Sequence, residues 1–124
     1  MIVVDSSGWI EFFVDGLLAK TYAKYLSDSS KVVTPTIVVY EVYKVIKRVS
    51  GEEAALAAVA QMGRTRVVPL AEPIALAAAD LSLAHGLAMA DAIVYATARH
   101  EKATLVTSDA DLGNLPGATY HQKK

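Results

Sequence analysis

The chain begins with the stretch MIVVDSS, residues 1–7, in which an apolar run ends directly in an acid and two serines. Ile2-Val3-Val4 does not alternate between apolar and polar residues, and this pattern predicts a short strand of a parallel sheet, buried on both faces. Ser6 or Ser7 can cap a helix that follows at once. The stretch therefore predicts a buried strand that ends at Asp5 and turns into a helix.

The rest of the chain repeats this alternation of short apolar runs and amphipathic segments. Further strands are predicted at residues 31–34, 65–70, 104–107 and 118–121. Helices are predicted at residues 6–13, 17–27, 37–49, 52–62, 73–85 and 88–102, with a loop or single turn at residues 109–112. Thr36 is the predicted N-cap of the third helix, and Gly86 is the predicted stop of the fifth.

Strands separated by helices imply right-handed crossovers, which cover a parallel sheet on both faces. The predicted fold is therefore α/β, a three-layer α/β/α sandwich around a mostly parallel sheet of four to five strands. No linker, repeat or low-complexity segment divides the sequence, so one domain over residues 1–124 is expected. Ligands of such sheets bind beyond the carboxyl ends of the strands, where Asp5 and Asp109 are predicted to lie.

The composition excludes several classes of protein. Apolar residues make up 53% of the chain and charged residues 20%, which is typical of a folded globular domain and not of a disordered one. Cysteine is absent, which excludes disulfides, thiolate zinc sites and cysteine nucleophiles. No run approaches the roughly 20 apolar residues of a membrane span, and no signal peptide is recognisable, so a cytoplasmic location is expected.

Four acids stand at strand ends or on otherwise apolar helical faces: Asp5, Glu41, Asp91 and Asp109. Carboxylates are costly to bury unless they are paired or bound to a cation. A cluster of them without basic partners predicts a site for Mg²⁺ or Mn²⁺, which prefer oxygen ligands. Such an ion polarises a phosphoryl oxygen and lowers the pKa of a bound water, so the acids point to chemistry on phosphates.

Each acid also has an ordinary structural explanation. Asp5 could cap a helix or lie in a loop, and Glu41 could form a salt bridge with Lys44 on its own helix. Asp91 could simply favour the positive end of its helix dipole, and Asp109 could belong to a polar turn. The four together are more specific than any one of them, because neighbouring carboxylates repel unless a cation lies between them.

Four segments carry a resemblance to a known family: Ile2-Val3-Val4-Asp5-Ser6-Ser7, TIVVYE (residues 36–41), MADAIVYATA (residues 89–98) and LVTSDADL (residues 105–112). In order and spacing they resemble the PIN domain, and VapC-type toxins in particular. The resemblance covers nearly the whole chain. It implies a PIN-like α/β/α sandwich and a metal-dependent endoribonuclease with Mg²⁺ (or Mn²⁺) as its cofactor.

The resemblance also implies a role for each matching acid and hydroxyl. By position, the catalytic quartet is Asp5, Glu41, Asp91 and Asp109, with Asp5, Asp91 and Asp109 as the metal ligands. The positions that support the quartet are taken by the hydroxyls of Ser6 and Thr107 and by a frequent fifth acid, Asp111. One departure is Leu112, where the family often has Phe, and both residues fill a hydrophobic pocket.

The predicted third helix combines an acid of the quartet with a basic residue. Glu41 lies four residues after Ile37 and four before Val45, so it is predicted to share their core-facing stripe. Lys44 is one turn from Glu41 and is the predicted contact to the RNA substrate. The other basic residues of this helix are expected on an ordinary solvated face.

The resemblance implies two protein partners, a second copy of the chain and a cognate antitoxin whose segment covers the acidic groove.

The alternative is a catalytically silent PIN-like module that binds or serves as a scaffold. A silent copy would usually lack at least one acid, and all four are present here. A dehalogenase-type phosphatase would need a second Asp where the chain has Ser7, and a receiver domain would need an Asp where it has Pro69-Leu70.

Overall fold

The computed structural model describes residues 1–123, in which five short strands form one sheet between helices. The strands are β1 (Ile2–Val4), β2 (Val32–Pro35), β3 (Arg66–Val68), β4 (Thr104–Thr107) and β5 (Ala118–Tyr120). The helices are α1 (Ser6–Phe13), α2 (Ala19–Tyr25), α3 (Thr36–Ser50), α4 (Glu52–Met62), α5 (Glu72–His85), α6 (Met89–His100) and α7 (Ala110–Gly113). The predicted α/β sandwich is confirmed.

The order of the strands brings two separate parts of the chain together. The sheet runs β3-β2-β1-β4-β5, and every neighbouring pair is parallel. The chain builds outward from β1 to β3 and then crosses over to place β4 on the free side of β1. The strand order therefore reverses between β1 and β4, and a crevice opens beyond the carboxyl ends of strands at such a point.

The helices form two groups on the two faces of the sheet. Helix α1 contacts α2 and α3, and α3 contacts α4, while α6 contacts α5 and α7. Crossovers between parallel strands are right-handed, so the group from α1 to α4 lies on one face of the sheet and the group from α5 to α7 lies on the other. Residues 92–98 of α6 are buried on all sides, which explains why this helix is apolar around its whole circumference.

No single helix within residues 1–123 is long and apolar enough to cross a membrane, although α5 and α6 together meet that criterion with a 116° bend between them.

Two predicted helix caps are wrong. The N-cap of α1 is Asp5, whose side chain accepts a hydrogen bond from the Gly8 amide, so Ser6 and Ser7 are the first two helical residues. Thr36 is likewise inside α3, which begins directly after the extended backbone of Pro35 without a side-chain cap. In both cases the strand turns into a helix without a spacer, which holds the first turn of the helix at the carboxyl edge of the sheet.

Some predicted boundaries and one predicted stripe also differ. Helix α2 is shorter than residues 17–27, β3 ends at Val68, and residues 110–113 form the short helix α7. The buried stripe of α3 is Val38, Val42 and Ile46, and not the stripe through Glu41. Glu41 lies beside the buried stripe and is only partly buried, which leaves its carboxylate at the edge of the core.

Close contact between α1 and α2 depends on the absence of a side chain at Gly8. A Cβ there would collide with the ring of Tyr22 and would lie 2.6 Å from Cγ1 of Val4. Tyr22 is fully buried, so its ring has no free space into which to move. Gly8 thereby lets the Tyr22 side chain pass across α1 toward the end of β4.

We expect Gly8→Ala to lower the free energy of unfolding by about 1–3 kcal/mol, because overpacking outweighs the better helix propensity of alanine. Urea denaturation measures this change. Gly63→Ala is the matched control, since its nearest neighbours would be backbone oxygens at 3.4 Å and its φ is −65°. That control should be neutral or stabilising by up to about 1 kcal/mol. Equal effects at the two glycines would contradict the packing described here.

Candidate active site

Asp5 directly follows β1, beside the end of β4, and is held there by three hydrogen bonds. Its Oδ1 accepts from the Ser7 hydroxyl at 2.6 Å and from the Gly8 amide at 3.3 Å. Its Oδ2 accepts from the Thr107 hydroxyl at 2.7 Å. Only 3% of the residue is exposed, so the carboxylate has one orientation and little water around it. Burial is the main reason why the pKa of Asp5 is raised.

The end of β4 supplies the second acid and is tied to the first. The Asp109 amide donates to the Thr107 hydroxyl at 2.9 Å, and the same hydroxyl donates to Asp5. The Ser108 amide donates to the Ser7 hydroxyl at 3.0 Å. Asp109 in turn caps α7, since its Oδ1 accepts from the Asp111 amide at 2.9 Å. Two hydroxyls therefore join the ends of β1 and β4 into one structure.

Glu41 and Asp91 reach the same edge from two helices. Glu41 is in the second turn of α3, which starts at the carboxyl end of β2, and Asp91 is in the first turn of α6. Both are partly buried. Each feels the charges of Asp5 and Asp109, which shows that the four sequence-distant acids converge.

The electrostatics of this cluster are those of crowded like charges. Burial raises the pKa of Asp91 to about 6, and Asp109, Asp5, Glu41 and Asp111 add to the rise in that order. The pKa of Glu41 is also raised, first by burial and then by Asp5 and Asp109. Within residues 1–123 none of these acids has a lysine, arginine or histidine nitrogen within 4.0 Å of its carboxylate. The charge is therefore left uncompensated by the protein.

The donor set fits a hard divalent cation. Carboxylate oxygens of Asp91, Asp109 and Asp111 lie within 4.8 Å of one another, close enough to share one ion. Asp5 is outside this closest group, although its charge acts on both Asp91 and Glu41. Oxygen-only ligands of this kind suit Mg²⁺ or Mn²⁺. Because Asp111 is exposed and Asp5 is held by three hydrogen bonds, Asp111 is the ligand that can adjust its position.

The two hydroxyl residues that were predicted to support the quartet contact different acids. Thr107 contacts Asp5 directly, whereas Ser6 lies next to Glu41 and partly opposes the rise in its pKa. The hydroxyl that contacts Asp5 on the other side is Ser7, which was predicted only as a possible helix cap and not as a support of the quartet. Lys44 is exposed and lies over the ring of Tyr40, so the structure does not bring it to the acids as an ion-pair partner.

A buried tyrosine completes the support of the site and was also missed. The Tyr22 and Ser108 hydroxyls form a 2.6 Å hydrogen bond, although the residues are 86 positions apart. Burial raises the pKa of Tyr22 to about 12, so its hydroxyl keeps its proton at neutral pH. Tyr22 therefore fixes Ser108, whose backbone bond to Ser7 fixes the loop that carries Asp109. No local sequence pattern marks this contact.

Comparisons with known proteins agree with the fold. A family model described as the PIN domain matches residues 2–118. A chain of a toxin–antitoxin complex from Klebsiella pneumoniae is 21% identical, covers 98% of this chain and 99% of its own length, and has a TM-score of 0.83. VapC20 of Mycobacterium tuberculosis, described as a toxin that cleaves the sarcin–ricin loop, is 22% identical over 92% of both chains, with a TM-score of 0.75.

A third structure is of another complex. A chain of the DNA-bound VapBC complex of Salmonella typhimurium is 14% identical over 100% of both chains, with a TM-score of 0.74. At these identities the structural likeness shows the fold and not the activity. No curated protein matches the chain by sequence.

Thr107→Val should lower the free energy of unfolding by about 1–3 kcal/mol, because it removes a partner from both the Asp5 carboxylate and the Asp109 amide. Thr97→Val is the matched control, since that hydroxyl only donates back to the Ile93 carbonyl of its own helix. Its effect should stay below about 1 kcal/mol. Urea unfolding of both variants compares them, and an equal loss would contradict the bridging role of Thr107.

Asp91→Asn should raise the thermal stability of the metal-free protein at pH 7.5. The pKa of Asp91 is raised in the folded state to about 6, so folding is penalised once the pH rises above the unfolded value of about 3.8. The penalty grows between about pH 4 and pH 6 and is constant above that range. Allowing for solvent screening, we expect a gain of about 1–2 kcal/mol.

The pH dependence provides the control for this variant. As the pH falls below about 4 the carboxyl group becomes protonated in the unfolded state as well, so the advantage of Asp91→Asn should shrink toward zero. Melting curves in EDTA from pH 3.5 to pH 8 follow the difference. A difference that does not change with pH would show that charge repulsion is not its cause.

Proposed function

We propose that this chain, which belongs to the PIN domain family, is a metal-dependent endoribonuclease and the toxin of a toxin–antitoxin pair. The observation that carries this proposal is the cluster of acids at the carboxyl edge of β1 and β4, which no cation of the described chain compensates. Repelling carboxylates in a crevice are costly to the fold, and a bound divalent ion removes that cost. The solved relatives described as VapC and VapBC proteins favour a toxin among PIN-domain nucleases.

The proposed ligands of Mg²⁺ or Mn²⁺ are Asp5, Asp91 and Asp109, and Asp111 is close enough to Asp91 and Asp109 to share an ion with them. The ion, when bound, would polarise a phosphoryl oxygen of RNA and lower the pKa of a water. Glu41 sits at the rim of the crevice, where its carboxylate can accept hydrogen bonds from that water.

The rigid parts of the site serve orientation. The Ser7 and Thr107 hydroxyls fix the orientation of the Asp5 carboxylate, and Oδ2, which accepts only the Thr107 hydrogen bond, keeps a lone pair for an ion. These donors are neutral and leave the negative charge of the cluster in place. The protein side of the mechanism is thus positioning and charge, and no side chain needs to act as a nucleophile.

The proposed protein partners follow from what the chain leaves exposed. An antitoxin segment that carries a lysine or arginine could neutralise the acids and block the crevice.

For a second copy of the chain, α5 offers Leu76 and Leu83, which are 62% and 87% exposed and lie two turns apart. Beside them, between α5 and α6, is an apolar cavity of about 340 Å³. Burial of this face would stabilise a homodimer. We expect the protein to act in the cytoplasm, where its RNA substrates are.

The alternative is a catalytically silent PIN-like module that binds a partner without cleaving RNA. It would retain the fold and could retain the antitoxin surface, but it would have no use for uncompensated acids. The raised pKa of Asp91 favours the nuclease, since strongly shifted groups concentrate at functional sites.

Purified protein should cleave a labelled single-stranded RNA with Mg²⁺ or Mn²⁺, and EDTA should abolish the cleavage. Asp91→Asn should reduce the rate at least about 100-fold, because it removes a proposed metal ligand. Asp80→Asn removes an exposed acid of α5 that has no contact with the cluster, and its rate should equal that of the unmodified protein.

Gel separation of the products gives the cleavage rate of each of the three proteins. Calorimetry measures their metal binding separately. Metal binding without cleavage of any RNA tested would indicate a narrow substrate range. Neither metal binding nor cleavage would favour the silent module.

A further inference from the structure

Helix α3 exposes an aromatic and basic strip directly beside the acids. Tyr40 is 58% exposed, and the Lys44 ammonium lies 5.6 Å from the centre of its ring. Glu41 is three residues after buried Val38 and three before exposed Lys44, so it lies between the core and this strip. The strip therefore continues the rim of the acidic crevice outward onto the surface.

Fold stability does not explain this strip. An exposed tyrosine buries little apolar area, and a cation–π contact at an exposed position adds little to the stability of a fold. Within residues 1–123, Lys44 has no acidic partner within 4.0 Å. Its ammonium and the part of the Tyr40 ring that Lys44 does not cover are therefore exposed to a ligand.

The next turn of the helix provides a contrast. Lys47 lies 5.4 Å from the centre of the Tyr43 ring, but it is also paired with Glu52 at 3.3 Å. Tyr43 is partly buried and packs against the core. This second pair is committed to the protein, whereas Tyr40 and Lys44 are free.

We propose that Tyr40 and Lys44 form a binding strip for single-stranded RNA, in which a base stacks on the Tyr40 ring and Lys44 contacts a neighbouring phosphate. The unstacked bases of single strands bind aromatic side chains in this way, and basic residues track the backbone. This proposal rests on the proposed function, because it assumes that RNA is the polymer that reaches the acids. The strip would hold the strand beside Glu41 while the scissile phosphate lies at the acids.

The test uses the full chain carrying Asp91→Asn, in EDTA, so that binding is measured without cleavage. Fluorescence anisotropy with a labelled, unstructured single-stranded RNA gives the affinity. Tyr40→Leu should weaken binding about 5- to 150-fold, since stacking on one base is worth about 1–3 kcal/mol. Tyr40→Phe keeps the ring and should stay within about twofold of the parent. The duplex form of the same RNA should be insensitive to both changes, because its bases are not free to stack.

Salt dependence tests the lysine. Lys44→Ala should weaken binding more at low salt than at high salt and reduce the slope of log affinity against log salt by about 0.7. Lys47→Ala is the matched control, because Lys47 is already paired with Glu52, and its slope should be unchanged. An unchanged slope for Lys44→Ala, or equal slopes for both variants, would overturn the role of Lys44.

The outcomes separate the strip from the proposed nuclease. Tyr40-dependent binding by a protein that neither binds metal nor cleaves RNA would leave the strip standing and overturn the nuclease. Metal-dependent cleavage with an unchanged KM in Tyr40→Leu would do the reverse. If Tyr40→Leu leaves RNA affinity intact but changes the sedimentation of the protein, the face is a contact between copies of the chain, and the RNA strip is overturned.

Discussion

Repulsion among carboxylates at the carboxyl edge of β1 and β4 is the constraint on which this structure depends. Parallel strands carry Asp5 and Asp109 to the same edge, and helices that start at or near that edge add Glu41 and Asp91. Burial, and after it repulsion from the neighbouring acids, raises the pKa of Asp91 to about 6, so the ionised form of Asp91 is disfavoured at this edge. A fold that keeps such a cluster gives up stability, and functional sites are where proteins do so.

The way in which the acids are held is as informative as their closeness. Asp5 is fixed by the neutral hydroxyls of Ser7 and Thr107. The same two hydroxyls accept hydrogen bonds from backbone amides at the end of β4. Neutral donors fix the geometry without cancelling the charge, whereas a lysine or arginine would have done both. Farther out, Tyr22 reaches across α1 to Ser108, which extends the support of the site into the buried core.

Much of the fold could be predicted from the sequence, because it is encoded in local periodicity. The limits of α4 and β4 agree with prediction, and so does the end of α5 at Gly86, whose φ of 67° suits glycine. The caps could not be predicted, because Asp5 and the serines after it compete for the same amides and backbone geometry decides among them. The contact between Tyr22 and Ser108 was also beyond prediction, since it joins residues that are close only after the sheet has formed.

Binding of a divalent cation by the acidic cluster can be seen directly by diffraction from a crystal grown with Mn²⁺. Data collected at the manganese absorption edge locate the ion without reference to activity. We expect an anomalous peak among the carboxylates of Asp5, Asp91 and Asp109, within about 2.0–2.3 Å of their oxygens. A fully occupied Mn²⁺ elsewhere with the cluster empty, or no peak at saturating Mn²⁺, would contradict it.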